Sequence, residues 1–197
     1  MLQIDNKEER VEKMNILLDR LPQYTPNGFK IRTDFRESIK FELLMQDNKI
    51  DDIDKVALAL NLYYYKTPTN IEKAIEDMLW FYRCGKEIKT SRTKGNKQSQ
   101  IYSYEFDDQY IYSAYKDQYK IDLNSIRYLH WWKFKSMFEG LKNDNKIIEI
   151  MGYRAVDLNN IKDKEEKAKY RKLKEIYALP DMRTPEQKEA DFASLFM

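Results

Sequence analysis

The sequence predicts a mainly α-helical fold: a single compact multi-helix domain with a small N-terminal β-hairpin. Apolar residues recur at helical spacing in segment after segment. Five glycines and five prolines in 197 residues are too few for a turn-rich all-β fold. Residues 128–141 hold two of the three tryptophans and set Trp131, Phe134, Met137, Phe138 and Leu141 on one broad helix face, with His130 at its border. Tyr128, Leu129 and Trp132 point away from that face, so the helix must bury a second surface, against this chain or a partner. We read this run as the centre of the core.

Ahead of it, Val11, Met14, Leu17, Leu18 and Leu21 are spaced for a helix that starts near Asn6 and stops at Pro22. Residues 23–32 carry Asn27-Gly28 between short apolar flanks, a hairpin signal because both residues tolerate positive φ. Thr33 or Asp34 can cap the next helix, with Glu37 completing a capping box and Ile31, Phe35, Ile39 and Leu43 forming its stripe. Asp51 and Asp52 begin another, striped by Ile53, Val56, Leu60 and Tyr63 or Tyr64. Ile71, Ile75, Met78, Leu79 and Tyr82 mark a third, with Gly85 suited to the C′ position.

Residues 86–100 are polar and basic and read as a mobile loop. Tyr102, Tyr104 and Phe106 alternate as a brief extended stretch, and Asp107 or Asp108 starts a tyrosine-rich helix through about Tyr119. After the tryptophan pair, a helix from Asp144 buries Ile147, Ile148 and Met151 and stops at Gly152. Asp163 caps a last, heavily charged helix striped by Tyr170, Leu173, Ile176 and Tyr177, with Glu166 at N3. The domain therefore spans 1–180, and 181–197 are expected to be a flexible tail.

Hydrophobic residues make up 42%, enough for a core, whereas 35% charged residues and a mean hydropathy of -0.80 imply a very polar surface. The net charge of +2 does not mark the whole molecule as a polyanion binder. No stretch approaches the ~20 apolar residues of a membrane span, and no secretory signal opens the chain. A soluble protein of a reducing cytosol is expected.

Reaction chemistry finds little support. One histidine and one cysteine, Cys84, cannot make the usual zinc sets. Asp51, Asp52 and Asp54 lack calcium-loop spacing and stand where a helix needs N-terminal acids. A Cys84–His130 nucleophile pair is disfavoured, because a helix C-terminus raises a thiol pKa and a histidine between tryptophans is better read as packed. No Gly-x-Ser-x-Gly, phosphate loop or dinucleotide fingerprint occurs. No enzyme, metal or cofactor is expected.

Two features suit partners instead. Lys89, Arg92, Lys94 and Lys97 in the loop are candidate polyanion contacts, though a solvated loop is the plainer reading. The lysines and arginine of residues 162–174 alternate with acids and read as a salt-bridged helix face. The aromatic excess, with 15 tyrosines and 9 phenylalanines, suits partner helices as well as a core. Tyr128, Trp132 and Arg154 are the candidate partner-binding residues.

Five segments carry a resemblance: Thr33-Asp-Phe-Arg36, Leu79-Trp-Phe-Tyr-Arg-Cys-Gly85, Tyr128-Leu-His-Trp-Trp-Lys-Phe134, Ile150-Met-Gly-Tyr-Arg154 and Ile161-Lys-Asp-Lys164. In order, and from about Met14 to Asp181, they resemble a family of small proteins from long-tailed phages and prophages of Gram-positive bacteria, the "gene product fifteen" family. The resemblance implies a gene among those for the tail, near the major tail and tape-measure proteins. It further implies a non-enzymatic tail assembly chaperone that binds the tape-measure protein, and tail tube subunits with it, in the host cytoplasm. A homo-oligomer is compatible with this. The alternatives are a structural virion component and a nucleic-acid-binding accessory protein using the 86–100 loop.

Overall fold

The structure is a computed structural model and describes residues 14–86 and 100–181. Seven α-helices and one 3₁₀ turn form its described part: α1 (Phe35–Gln46), α2 (Asp52–Tyr63), α3 (Ile71–Tyr82), α4 (Asp108–Tyr119), α5 (Trp131–Glu139), α6 (Lys146–Ala155), the turn Leu158–Asn160, and α7 (Lys164–Ile176). Their starts follow local chemistry. Asp34, Asp51, Asn70 and Asp163 sit in extended conformation, and their side chains accept the orphan N–H groups of the first turn. Helix α1 packs on α2 and α5, α2 on α3, α4 on α6, and α6 on α7.

Helix α5 is central, as its composition implies. Trp131 stacks on Tyr82 at 5.7 Å and on Phe134 at 5.7 Å. Phe134 is in turn stacked against Phe35 and Tyr115, each at 4.8 Å. The two tryptophans also end α3. The Trp131 indole N–H donates to the Tyr82 carbonyl and that of Trp132 to the Phe81 carbonyl, both at 2.8 Å. Those carbonyls belong to the last turn of α3 and lack partners within the helix. The tryptophan pair thus seals a helix end while it fills the core.

Several expectations are corrected. No strand forms among the described residues, so the expected hairpin is reduced to an isolated antiparallel bridge between Tyr24 and Lys30. Its turn is present, with Gly28 at φ +81°, but Thr25 and Asn27 bind the carboxylate of Asp77 on α3, and Arg32 N–H donates to Tyr63. Thr25 N–H still donates to Phe29 O and Ile31 N–H to Gln23 O across the turn, but the pairing stops at this one bridge. Residues 104–106 likewise form a turn, and no strand forms at 101–106.

The N-terminal helix is also absent from its described part. From Met14 to Leu21 there is one turn, held by Asn15 accepting from Leu17 N–H and Asp19 accepting from Asn15 N–H. Such side-chain bonds compete with helix propagation. Gly152 does not stop α6, which runs to Ala155 because Tyr153 and Arg154 are held on α7 and the residues before α4. Cys84, not Gly85, takes the left-handed C′ position after α3, at φ 57°. Cys84 N–H bonds to Phe81 O and Gly85 N–H to Trp80 O, a Schellman arrangement. Gly85 follows at φ +69°, where a Cβ would lie 3.1 Å from the Trp132 ring. The remainder of the N-terminal helix, most of the 86–100 loop, and the 181–197 tail beyond Asp181 lie outside the described residues.

Candidate functional site

The residues singled out for partners separate into different environments. Trp132 is buried, its ring against Trp80 and Phe81. Arg154 is turned inward: its guanidinium makes two bonds to the Asp107 carboxylate at 2.6 and 2.9 Å and donates to the carbonyls of Ile101 and Tyr177. Both side chains are engaged inside the fold. Tyr128 is 47% exposed. Lys89, Arg92, Lys94 and Lys97 lie outside the described residues.

Tyr128 marks the edge of a groove of about 460 Å³, whose walls include Ile16, Leu21, Leu129, His130 and Lys133. The segment before α5 forms its floor because the chain there pairs with the entry to α1. Phe35 N–H donates to Leu129 O, Trp131 N–H to Thr33 O, and Leu129 N–H to the Asp34 carboxylate. The Tyr128 hydroxyl shares a 2.7 Å hydrogen bond with Thr33 Oγ1, which fixes the ring at the rim. The turn of residues 15–19 forms the other wall and drives its apolar side chains outward. Leu17 is 88% exposed and Leu18 82%. Adjacent large apolar groups left in water mark interaction surfaces when they gather into a patch. The sequence carried this signal only as a helix stripe. A larger groove of about 580 Å³ is lined by Ile39, Ile111 and Leu123 together with Asp108, Gln109 and Asn124, and both grooves mix apolar and polar side chains.

His130 joins the two walls. Its Nδ1 accepts Trp132 N–H at 3.1 Å, which caps α5, and this leaves the ring proton on Nε2 to donate to Pro22 O, also 3.1 Å away. Burial lowers its pKa below the usual 6.5, opposed by the Pro22 bond and aided by Lys133. Protonation would set an Nδ1–H against the Trp132 N–H. The folded state holds the neutral ring, so the unfolded chain binds protons more readily, and this contribution is present above pH 6.5 and lost as pH falls below it. His130→Asn keeps a capping acceptor without the titration. Its urea midpoint should trail the parent at pH 7.5 and approach it by pH 5; parallel pH curves would contradict the assignment. His130 is the chain's one histidine, which keeps the comparison clean.

Burial pushes the Cys84 thiol up to about 12, so it stays protonated at neutral pH. Glu42 is raised above its usual value, chiefly by burial, and accepts the Tyr82 hydroxyl proton in a hydrogen bond. Among the described residues no group of three or more His, Cys, Asp or Glu is placed to hold a metal. Asp51 caps α2 through Asp54 N–H. No helix among them is long and apolar enough to cross a membrane.

A family model described as Bacteriophage Gp15 protein matches residues 17–179, and the chain belongs to that family. The matched span covers all five segments on which the resemblance rests. It makes this a phage-related protein, and the family's description names no enzymatic activity. No curated protein and no solved structure matches the chain.

Proposed function

We propose that this phage protein is a non-enzymatic tail assembly chaperone that holds an amphipathic helix of the tape-measure protein in the groove beside Tyr128. The observation that carries the reading is the pair Leu17 and Leu18, exposed on the turn whose Ile16 and Asp19 line that groove, in a protein of a phage family. A partner helix would lay apolar residues at i, i+3, i+4 and i+7 against such a surface. Covering a leucine side chain is worth about 1.5–3 kcal/mol, so two of them with one tyrosine ring supply useful affinity. Arg20 and Lys133 on the groove walls suit acidic groups flanking the partner's stripe. Binding would take place in the host cytoplasm, before tail tube subunits polymerise, and the protein would then leave.

The variants Leu17→Asp and Tyr128→Ala test the site. Each should weaken tape-measure binding about tenfold or more, the loss that removal of a central contact of about 1.4 kcal/mol produces. Far-UV circular dichroism should be unchanged, because both side chains are exposed. Unaltered binding by both would move the contact elsewhere. Mass spectrometry of purified virions separates this function from that of a structural virion component, since a chaperone should be missing from the particle.

A further inference from the structure

Among the described residues, helix α7 is the one α-helix that buries no side chain, whereas each of the others buries two or more. It lies on α6 and on the 3₁₀ turn in the connection between them. Tyr170, Leu173 and Tyr177 of its stripe are half-buried, and Ile176 is 61% exposed. Tyr153 of α6 meets the rings of Tyr170 and Tyr177 at 6.4 and 5.7 Å, and the Lys146 ammonium stands over Tyr177. Contacts of this kind hold a helix in place without making it part of the core.

The polar contacts are reciprocal caps. Lys174 on α7 donates to the carbonyls of Arg154 and Val156 at the end of α6, and Arg154 on α6 donates to the Tyr177 carbonyl at the end of α7. Carbonyls at helix ends have water as their ordinary alternative donor. With α7 gone, Arg154 would keep both bonds to the Asp107 carboxylate and one to Ile101 O, so no buried charge is stranded. Lifting α5, by contrast, would strip Trp131, Trp132, Phe134 and Phe138 from the core.

We infer that α7 is a hinged strap. It lifts from α6 as a unit about residues 156–163 while α1–α6 stay folded, and it uncovers Tyr153 and Lys146 on α6. A lone helix of 13 residues is marginal in water, so the lifted strap loses its helical hydrogen bonds and its amides meet solvent. The inference stands on the α6–α7 contact and does not depend on the groove beside Tyr128.

Native-state hydrogen exchange on the full chain, at increasing urea below the unfolding midpoint, tests it. The amides of residues 168–176 should share one opening constant, at least tenfold larger than that of the α1 and α5 amides. Urea should change it little, because lifting exposes little surface, while exchange in the core accelerates steeply. Tyr153→Ala removes the ring contact from outside α7 and should raise the opening constant of all these amides together, by about tenfold. Lys174→Met keeps helix propensity and should act in the same direction through the lost caps. Exchange of α7 only together with the core would overturn the strap. Rates graded inward from the end of α7 and unmoved by either variant, the pattern of simple fraying, would overturn it equally.

Discussion

Asp107→Ala is expected to cost about 3–5 kcal/mol, because it leaves the Arg154 guanidinium buried without its counter-ion. Asp107 is buried and receives three donors: two from Arg154, and Ser103 N–H at 2.8 Å. Arg154 meanwhile reaches the carbonyls of Ile101 and Tyr177, and Lys174 donates to the carbonyls of Arg154 and Val156. One ion pair therefore ties the start of α4, the end of α6 and the end of α7. Since whole domains are stable by only about 5–15 kcal/mol, the loss is a large fraction of the total. Urea unfolding measures it. A loss under about 1 kcal/mol, the size of an exposed pair, would mean that water reaches the site.

Trp131→Ala should cost about 3–5 kcal/mol, the range for an aromatic removed from a well-packed core. Trp131 is fully buried, stacked between Tyr82 and Phe134, and its N–H satisfies the Tyr82 carbonyl. Trp131→Phe keeps most of the stacking but leaves that carbonyl with only the weak Cys84 thiol as donor, a loss of about 1–3 kcal/mol. The order Ala worse than Phe, read from thermal midpoints, checks that ring packing outweighs the hydrogen bond. Equal costs would assign the stability to the hydrogen bond instead.

Local chemistry was legible in the sequence, and long-range pairing was not. Asp34, Asp51 and Asp163 announce helix starts because a cap involves only residues within three positions. The tryptophan run announces the core because its apolar face is continuous. The failures share a different cause. Asn27-Gly28 makes its turn, but the side chains of Thr25 and Asn27 are held by Asp77, 50 residues from Asn27, a contact that local pattern does not announce. Arg154 reads as an interface residue until Asp107, 47 positions away, is brought beside it. Gly152 has the composition of a stop, and contacts made by the residues after it carry the helix through. The stripe on α2 is correct as periodicity, yet periodicity does not say how much of a helix the body covers. For the candidate site, the position of Tyr128 off the main helix face is legible in the sequence. The groove is not legible, because Leu17 and Leu18 beside it in sequence look like core residues of a helix, where the structure has a single turn with side-chain bonds from Asn15 and Asp19.

Co-expression with the tape-measure protein encoded nearby, followed by size exclusion with light scattering, tests the chaperone reading most directly. A co-eluting complex is expected that keeps the tape-measure protein soluble and that Leu17→Asp disrupts without unfolding this chain. A tape-measure protein that precipitates while this protein elutes unchanged would contradict it.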